Sequence, residues 1–123
     1  MPQEKKKSFT KRSLPPEVKL AVQVCLAKKA EDLCVLDLSG LSSFTDYFLV
    51  MHGNSSRQNA AVAEGLESEL KKAGTRPLSV EGRETEDWIL LDYGFFVAHV
   101  FSPKAREHYS LEKLWGDAPR LDY

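Results

Sequence analysis

Apolar residues recur along this chain with two different periods, and the switches between them lay out its elements. After Pro15-Pro16, which suits the first turn of a helix, Val18, Ala21, Val22, Cys25 and Leu26 fall on one side at helical spacing. Leu20 and Val24 lie off that stripe, which predicts cover on more than one side. Leu33–Leu38 is short and rich in apolar residues, and it stops at Ser39-Gly40, as a strand does. Residues 41–46 are small, hydroxylated or acidic and predict a loop. Tyr47–Met51 is continuously apolar, the pattern of a strand buried on both faces. Gly53-Asn54-Ser55-Ser56 then breaks the strand and offers side-chain oxygens to cap a second helix. In that helix Val62, Ala63, Leu66, Leu70 and Ala73 form a stripe opposite Glu64, Glu67, Ser68 and Lys71. Lys71 and Lys72 suit the negative end of the helix dipole, and Gly74 stops the helix.

Past Pro77 the period shortens again. Leu78–Val80 predicts a short strand left through Glu81-Gly82, and residues 83–87 an acidic turn. Trp88–Tyr93 and Phe95–Phe101 are aromatic and branched runs on either side of Gly94, which predicts a β-hairpin. Ser102-Pro103 opens a helix that runs to Tyr109, and Leu111–Trp115 adds a last short turn. The expected fold is α/β, a mixed five-stranded β-sheet flanked by helices, with one right-handed parallel crossover and a late antiparallel hairpin. The expected domain spans residues 14–116, between a disordered basic tail at 1–13 and a C-terminal tail at 117–123.

Composition narrows the function. A chain of 123 residues, 42% apolar and 28% charged, holds one hydrophobic core. Its net charge of −1 excludes a strongly basic nucleic-acid binder. The charges are unevenly placed: Lys5, Lys6, Lys7, Lys11 and Arg12 face Glu4 alone, whereas Glu81, Glu84, Glu86, Asp87 and Asp92 face Arg83 alone. No apolar run approaches the roughly 20 residues that span a bilayer, and no apolar export signal opens the chain. Cys25 and Cys34 therefore read as reduced structural thiols, in a cytoplasmic protein or one of an organellar matrix.

The groups that carry catalysis are missing from the places where they would have to meet. His52, His99 and His108 lack metal-ligand spacing, and there is no nucleophile elbow, so neither a metal nor acyl-transfer chemistry is expected. The best candidate for bound phosphate is the turn Gly53, Ser55, Ser56 and Arg57, where amides of a helix N-terminus and a guanidinium fork would converge. Nucleotidyltransferases use such a turn together with paired carboxylates on the next strand that hold two metal ions. Here the next strand, Leu78-Ser-Val-Glu81, has no such pair, and Asp87 and Asp92 stand too far apart to share a metal. The turn is then a vestigial phosphate site or an ordinary helix cap. No enzyme activity and no cofactor are expected, and a nucleotide-binding or nucleotidyltransferase-like enzyme is the alternative reading.

The hairpin gives the stronger signal. Trp88, Tyr93, Phe95 and Phe96 stand beside five carboxylates, a mixture typical of neither a core nor a solvated face. Aromatic residues anchor protein interfaces, and carboxylates around them repel a phosphate backbone and attract a basic protein. By strand alternation Trp88, Leu90 and Asp92 share one face, and Ile89, Leu91 and Tyr93 the other. The plain alternative for Trp88 is a core aromatic.

At this point the residues resemble a known family. Asp46-Tyr-Phe-Leu-Val50, Gly53-Asn-Ser-Ser-Arg-Gln58, Glu81-Gly82, Asp87-Trp-Ile-Leu-Leu-Asp-Tyr-Gly94, His99-Val-Phe101 and Arg106-Glu-His-Tyr-Ser-Leu-Glu-Lys-Leu-Trp115 follow one another as in the Iojap family, the ribosomal silencing factor RsfS. The resemblance covers roughly residues 16–116. It implies a nucleotidyltransferase-like fold without the catalytic carboxylates and a homodimer when free. It also implies binding to the large ribosomal subunit through ribosomal protein fourteen, which blocks the small subunit from joining and represses translation; organellar relatives act in large-subunit assembly. The family's tryptophan is Trp88 here, and its Asp-x-Gly turn is Asp92-Tyr93-Gly94. The expected partner-binding set is Trp88, Glu86, Asp87, Leu90, Asp92, Tyr93 and Phe95. Phe95 stands where the family usually has an acidic residue, which removes one charge and makes the surface more apolar. The basic tail is outside the shared core and leaves direct contact with RNA open.

Overall fold

The computed structural model describes residues 9–85 and 87–123. In chain order the elements are α1 (Pro16–Ala27), β1 (Glu31–Asp37), β2 (Tyr47–His52), α2 (Ser56–Lys72), β3 (Ser79–Glu81), β4 (Trp88–Asp92), β5 (Phe96–Phe101), α3 (Pro103–Tyr109), α4 (Leu111–Leu114) and β6 (Arg120–Asp122). The strands form one sheet in the order β3-β4-β5-β2-β1-β6. β5 runs parallel to β2, and the other neighbouring pairs are antiparallel. The mixed α/β sheet is the expected one with a sixth strand added, since β6 sets Leu121 opposite Val35 of β1. A three-residue strand in which Arg120 and Asp122 flank one leucine carries no periodic signal.

α1 and α2 cover one face of the sheet. Val18, Ala21, Val22, Cys25, Val62, Ala63, Leu66 and Leu70 pack there with Leu33, Val35, Leu49, Met51, Ile89, Leu91, Phe96, Ala98 and Val100. Within α1 the expected Val18, Ala21, Val22 and Cys25 are buried and only Leu26 departs, at 42% exposed; Val24, off the stripe, is buried as well, the cover on a second side that the sequence predicts. That cover comes from α2, whose Gly65 brings the two helices close; a Cβ there would stand 3.4 Å from Val24 Cγ1 and 2.9 Å from Lys28 Cε. The short helices α3 and α4 cover only part of the opposite face, over Cys34, Leu36, Val50 and Phe101. Beyond them the face is open, with Leu90 and Asp92 half-buried on β4 and Ser79 and Glu81 exposed on β3.

β5 is buried along all of its length, as a central strand should be. His99 on it is 3% exposed.

Both ends of the expected domain extend further than the apolar pattern reaches. Residues 1–8 of the anticipated tail lie outside the described residues. The following segment makes a Thr10-capped 3-10 turn at Lys11–Ser13. Phe9 stacks 6.3 Å from Tyr47, and Lys11 Nζ lies 4.3 Å from the Tyr123 ring centre. Cys25 and Cys34 are free thiols, both buried. Among the described residues no helix is long and apolar enough to cross a membrane.

Candidate functional site

The open face is organised around Trp88, at the start of β4. Alternation along β4 buries Ile89 and Leu91 under the helices and leaves Trp88, Leu90 and Asp92 half-exposed on the other side. The Trp88 ring rests 4.9 Å from Phe101 and 4.6 Å from Tyr109, centre to centre. Its indole Nε1–H donates to His99 Nδ1 at 3.1 Å. His99 also meets Phe48 edge to face at 4.3 Å, and burial pushes its imidazole down to about 3. A neutral imidazole that accepts at Nδ1 carries its hydrogen at Nε2, and that buried nitrogen has no partner among the described residues. The indole is thus pinned by a neutral base inside the domain, which answers the question left open by the sequence. Trp88 is both a core contact and a surface group.

The loop before β4 is built to deliver this ring. Thr85 Oγ1 donates toward the carbonyls of Gly82, at 2.8 Å, and Trp88, at 3.0 Å. Gly82 has a φ of +84°, and a Cβ on it would collide with the Trp88 carbonyl oxygen. Gly82→Ala is therefore expected to cost about 2 kcal/mol from the left-handed backbone alone, plus displacement of Trp88. Urea unfolding followed by tryptophan fluorescence checks both effects.

The structure separates the expected partner-binding residues into two groups. Trp88, Leu90 and Asp92 share the open face, and Asp87 borders it. Asp87 also ties β4 to α3: its Oδ1 accepts from Ser102 Oγ at 3.0 Å and its carbonyl from the Ser102 amide at 2.8 Å. Asp92 Oδ1 accepts from the Gly94 amide at 2.8 Å and so shapes the hairpin turn, where Gly94 has a φ of +91°. Tyr93 and Phe95 belong to the other side. Tyr93 is 6% exposed and stacks on Phe96 at 4.8 Å, and its phenol is pushed up to about 12 by burial. Phe95 meets Phe96 at 5.0 Å and packs against the helical core. Composition groups these two with Trp88, but the two-residue period divides them. Glu86 lies outside the described residues.

The Gly53–Arg57 turn joins three elements. Ser55 Oγ caps α2 by accepting from the Gln58 amide at 3.1 Å. Gln58 Oε1 accepts from the Asn54 amide at 2.7 Å, and its Nε2 donates to the Lys29 carbonyl at 2.8 Å. Buried Gly53 lies against Asn59, which donates to the Phe101 carbonyl at 3.3 Å. Ser56 and Arg57 are exposed, and Asn54 Nδ2 donates to Glu31 Oε2 at 2.6 Å. A phosphate brought to this turn would meet the Glu31 carboxylate at its edge.

A further cluster had no assigned role in the sequence. Arg106 of α3 sends Nε and Nη2 to Glu112 Oε2 at 2.8 and 2.6 Å. Its Nη1 lies 3.3 Å from the Glu31 carbonyl and 3.0 Å from His52 Nδ1. Ser110, with a φ of +46°, ends α3 and turns the chain so that Glu112 comes back to Arg106. Both charges stood in the Arg106–Trp115 motif, but only the left-handed residue between them brings them together. They wall a cleft of about 770 Å³ whose lining carries charges of both signs. Among the described residues no three His, Cys, Asp or Glu side chains are grouped to hold a metal ion.

The chain is similar in sequence and in fold to known proteins. Residues 11–123 match the profile of the family described as ribosomal silencing factor during starvation. The ribosomal silencing factor RsfS of Bacillus subtilis is 43% identical over 105 residues, covering 85% of this chain and 89% of that protein. The mouse protein named mitochondrial assembly of ribosomal large subunit protein 1 is 32% identical over 102 residues, covering 80% of this chain and 45% of its own length. A crystal structure of a Chromobacterium violaceum protein superposes with a TM-score of 0.79 at 38% identity, over 81% of this chain and 83% of the other. With a family profile matched over nearly its whole length and relatives of this similarity, the chain belongs to the ribosomal silencing factor (RsfS/Iojap) family.

Proposed function

We propose that this protein binds the large ribosomal subunit through a basic ribosomal protein, ribosomal protein fourteen by the family resemblance, and obstructs joining of the small subunit. It acts as a repressor of translation and not as a catalyst, in the cytoplasm or an organellar matrix. The observation that carries this reading is the open half of the sheet, where Trp88 is presented beside Glu81 and Asp87, with Asp92 further along the same face of β4. A half-buried aromatic flanked by two carboxylates is matched by a basic protein surface and repels nucleic-acid phosphate. The name of the mouse relative, which concerns assembly of a ribosomal large subunit, points the same way. The resemblance further implies a free homodimer. The nucleotide reading loses support from the Gly53–Arg57 turn, whose polar groups bind neighbouring elements and the Glu31 side chain.

The test is sedimentation of mixed ribosomal subunits with and without the protein. Co-migration with the large subunit and fewer joined ribosomes are expected, and a protein left at the top of the gradient with joining unaffected would overturn the reading. Trp88→Ala is expected to weaken binding to the large subunit by at least about 2 kcal/mol. A folded variant that binds as the parent does removes Trp88 from the interface.

A further inference from the structure

Beside Trp88 the open face dips into a shallow pocket of about 400 Å³, lined by Glu81, Gly82, Thr85, Asp87, Leu90 and Tyr109 as well as Trp88 itself. Its two aromatic walls come from separate elements, β4 and the end of α3, and meet at 4.6 Å between ring centres. The Trp88 and Thr85 donors at this lining are committed elsewhere. The Trp88 indole hydrogen goes inward to His99, the Thr85 amide binds the Gly82 carbonyl, and the Thr85 hydroxyl turns to the carbonyls of Gly82 and Trp88. What the pocket offers an occupant is two ring surfaces, the Tyr109 hydroxyl and the carboxylates of Glu81 and Asp87.

We propose that this pocket receives one basic side chain, lysine or arginine, from the protein on which the docking face sits, so that Trp88 is read by a cation and not by a hydrogen-bond acceptor. The inference rests on the docking reading above and adds the chemistry of the contact. A cation over tryptophan and tyrosine rings is attracted by their negative faces, and the long aliphatic stem of lysine or arginine suits Leu90. The carboxylates supply the countercharge. An apolar occupant would strip water from Glu81 and Asp87 without replacing it, and an anionic one would be repelled. His99 is the positioning residue of this arrangement, because it draws the indole donor of Trp88 away from the surface.

The experiment measures affinity of the full chain for the large ribosomal subunit in four variants, each checked for a parent-like thermal transition. Glu81→Gln combined with Asp87→Asn deletes both charges, while the new amide at position 87 keeps a carbonyl acceptor for Ser102. This double variant is expected to weaken binding about tenfold and to flatten its salt dependence. Tyr109→Leu is expected to weaken binding by about fivefold, whereas Tyr109→Phe keeps the ring and binds as the parent does. Trp88→Ala is the reference. If Trp88→Ala weakens binding while the double charge variant and Tyr109→Leu bind normally, the docking reading stands and the cation pocket is overturned. If Trp88→Ala also binds normally, the docking reading itself fails and takes the pocket with it.

Discussion

Arg106→Ala is expected to lower the stability of the domain by about 3 kcal/mol, the cost typical of stranding one member of a buried ion pair. The side chain of Arg106 is 10% exposed and that of its partner Glu112 19%, so water screens the pair only weakly. Removing the guanidinium leaves the Glu112 carboxylate without its two short contacts and releases the Glu31 carbonyl and His52 Nδ1 as well. The stranded charge, more than the lost attraction, is what makes the loss large. Arg106→Ala with Glu112→Leu is therefore expected to recover about half of it, because an apolar pair replaces an uncompensated ion. Urea midpoints at unchanged slope measure both. A loss below about 1 kcal/mol in the single variant would mean that the pair behaves as a solvated surface bridge.

The second large effect concerns His99 and pH. Burial holds its imidazole at about 3, against 6.5 for the exposed group, so the folded state stays neutral where the unfolded chain takes up a proton. Above about pH 6.5 both states are neutral at this residue and it contributes no pH dependence. As pH falls from about 6.5 toward 3, the unfolded state binds more protons, and stability drops by up to about 1.4 kcal/mol per pH unit. Between pH 7 and pH 5 the expected loss from this group is about 2 kcal/mol. His99→Gln offers Trp88 an acceptor that does not titrate, so the difference in slope between parent and variant isolates the histidine from the carboxylates. Parallel slopes would show that His99 is protonated in the folded protein. Because the same nitrogen fixes the indole, docking is expected to weaken over the same acidic range only as the domain itself unfolds.

Much of the fold was legible because it is written in periods. The stripe on α2, apart from exposed Ala73 at its C-cap, the apolar run of β2 and the aromatic run of β5 place their side chains on the faces that the spacing predicts. β6 was not legible, since three residues with one apolar side chain carry no period and the strand exists only because β1 offers an open edge. The cover over Val24 of α1 was legible only as a second buried side, because its close contact depends on Gly65 of another helix. At the candidate site, alternation placed Trp88, Leu90 and Asp92 together, and composition alone added Tyr93 and Phe95, which face the core. The hydrogen bond from Trp88 to His99 joins residues on neighbouring strands, and no sequence spacing announces it. The Arg106 cluster was visible only as a motif without a role until the left-handed Ser110 showed how the chain turns back.

The parallel pairing of β2 with β5 also sets an order on how the chain can acquire its structure. Tyr47 must find Phe96, and everything from α2 to β4 has to be looped out before that contact closes. β5 is the strand that joins the two halves of the sheet, β3-β4 on one side and β2-β1-β6 on the other. During synthesis the first half of the chain leaves the exit tunnel with one long edge of β2 unpaired, and it stays so until the residues of β5 follow. A nascent chain whose β5 has not yet left the tunnel is therefore expected to be protease-sensitive and prone to capture by chaperones, whereas the released chain closes its sheet.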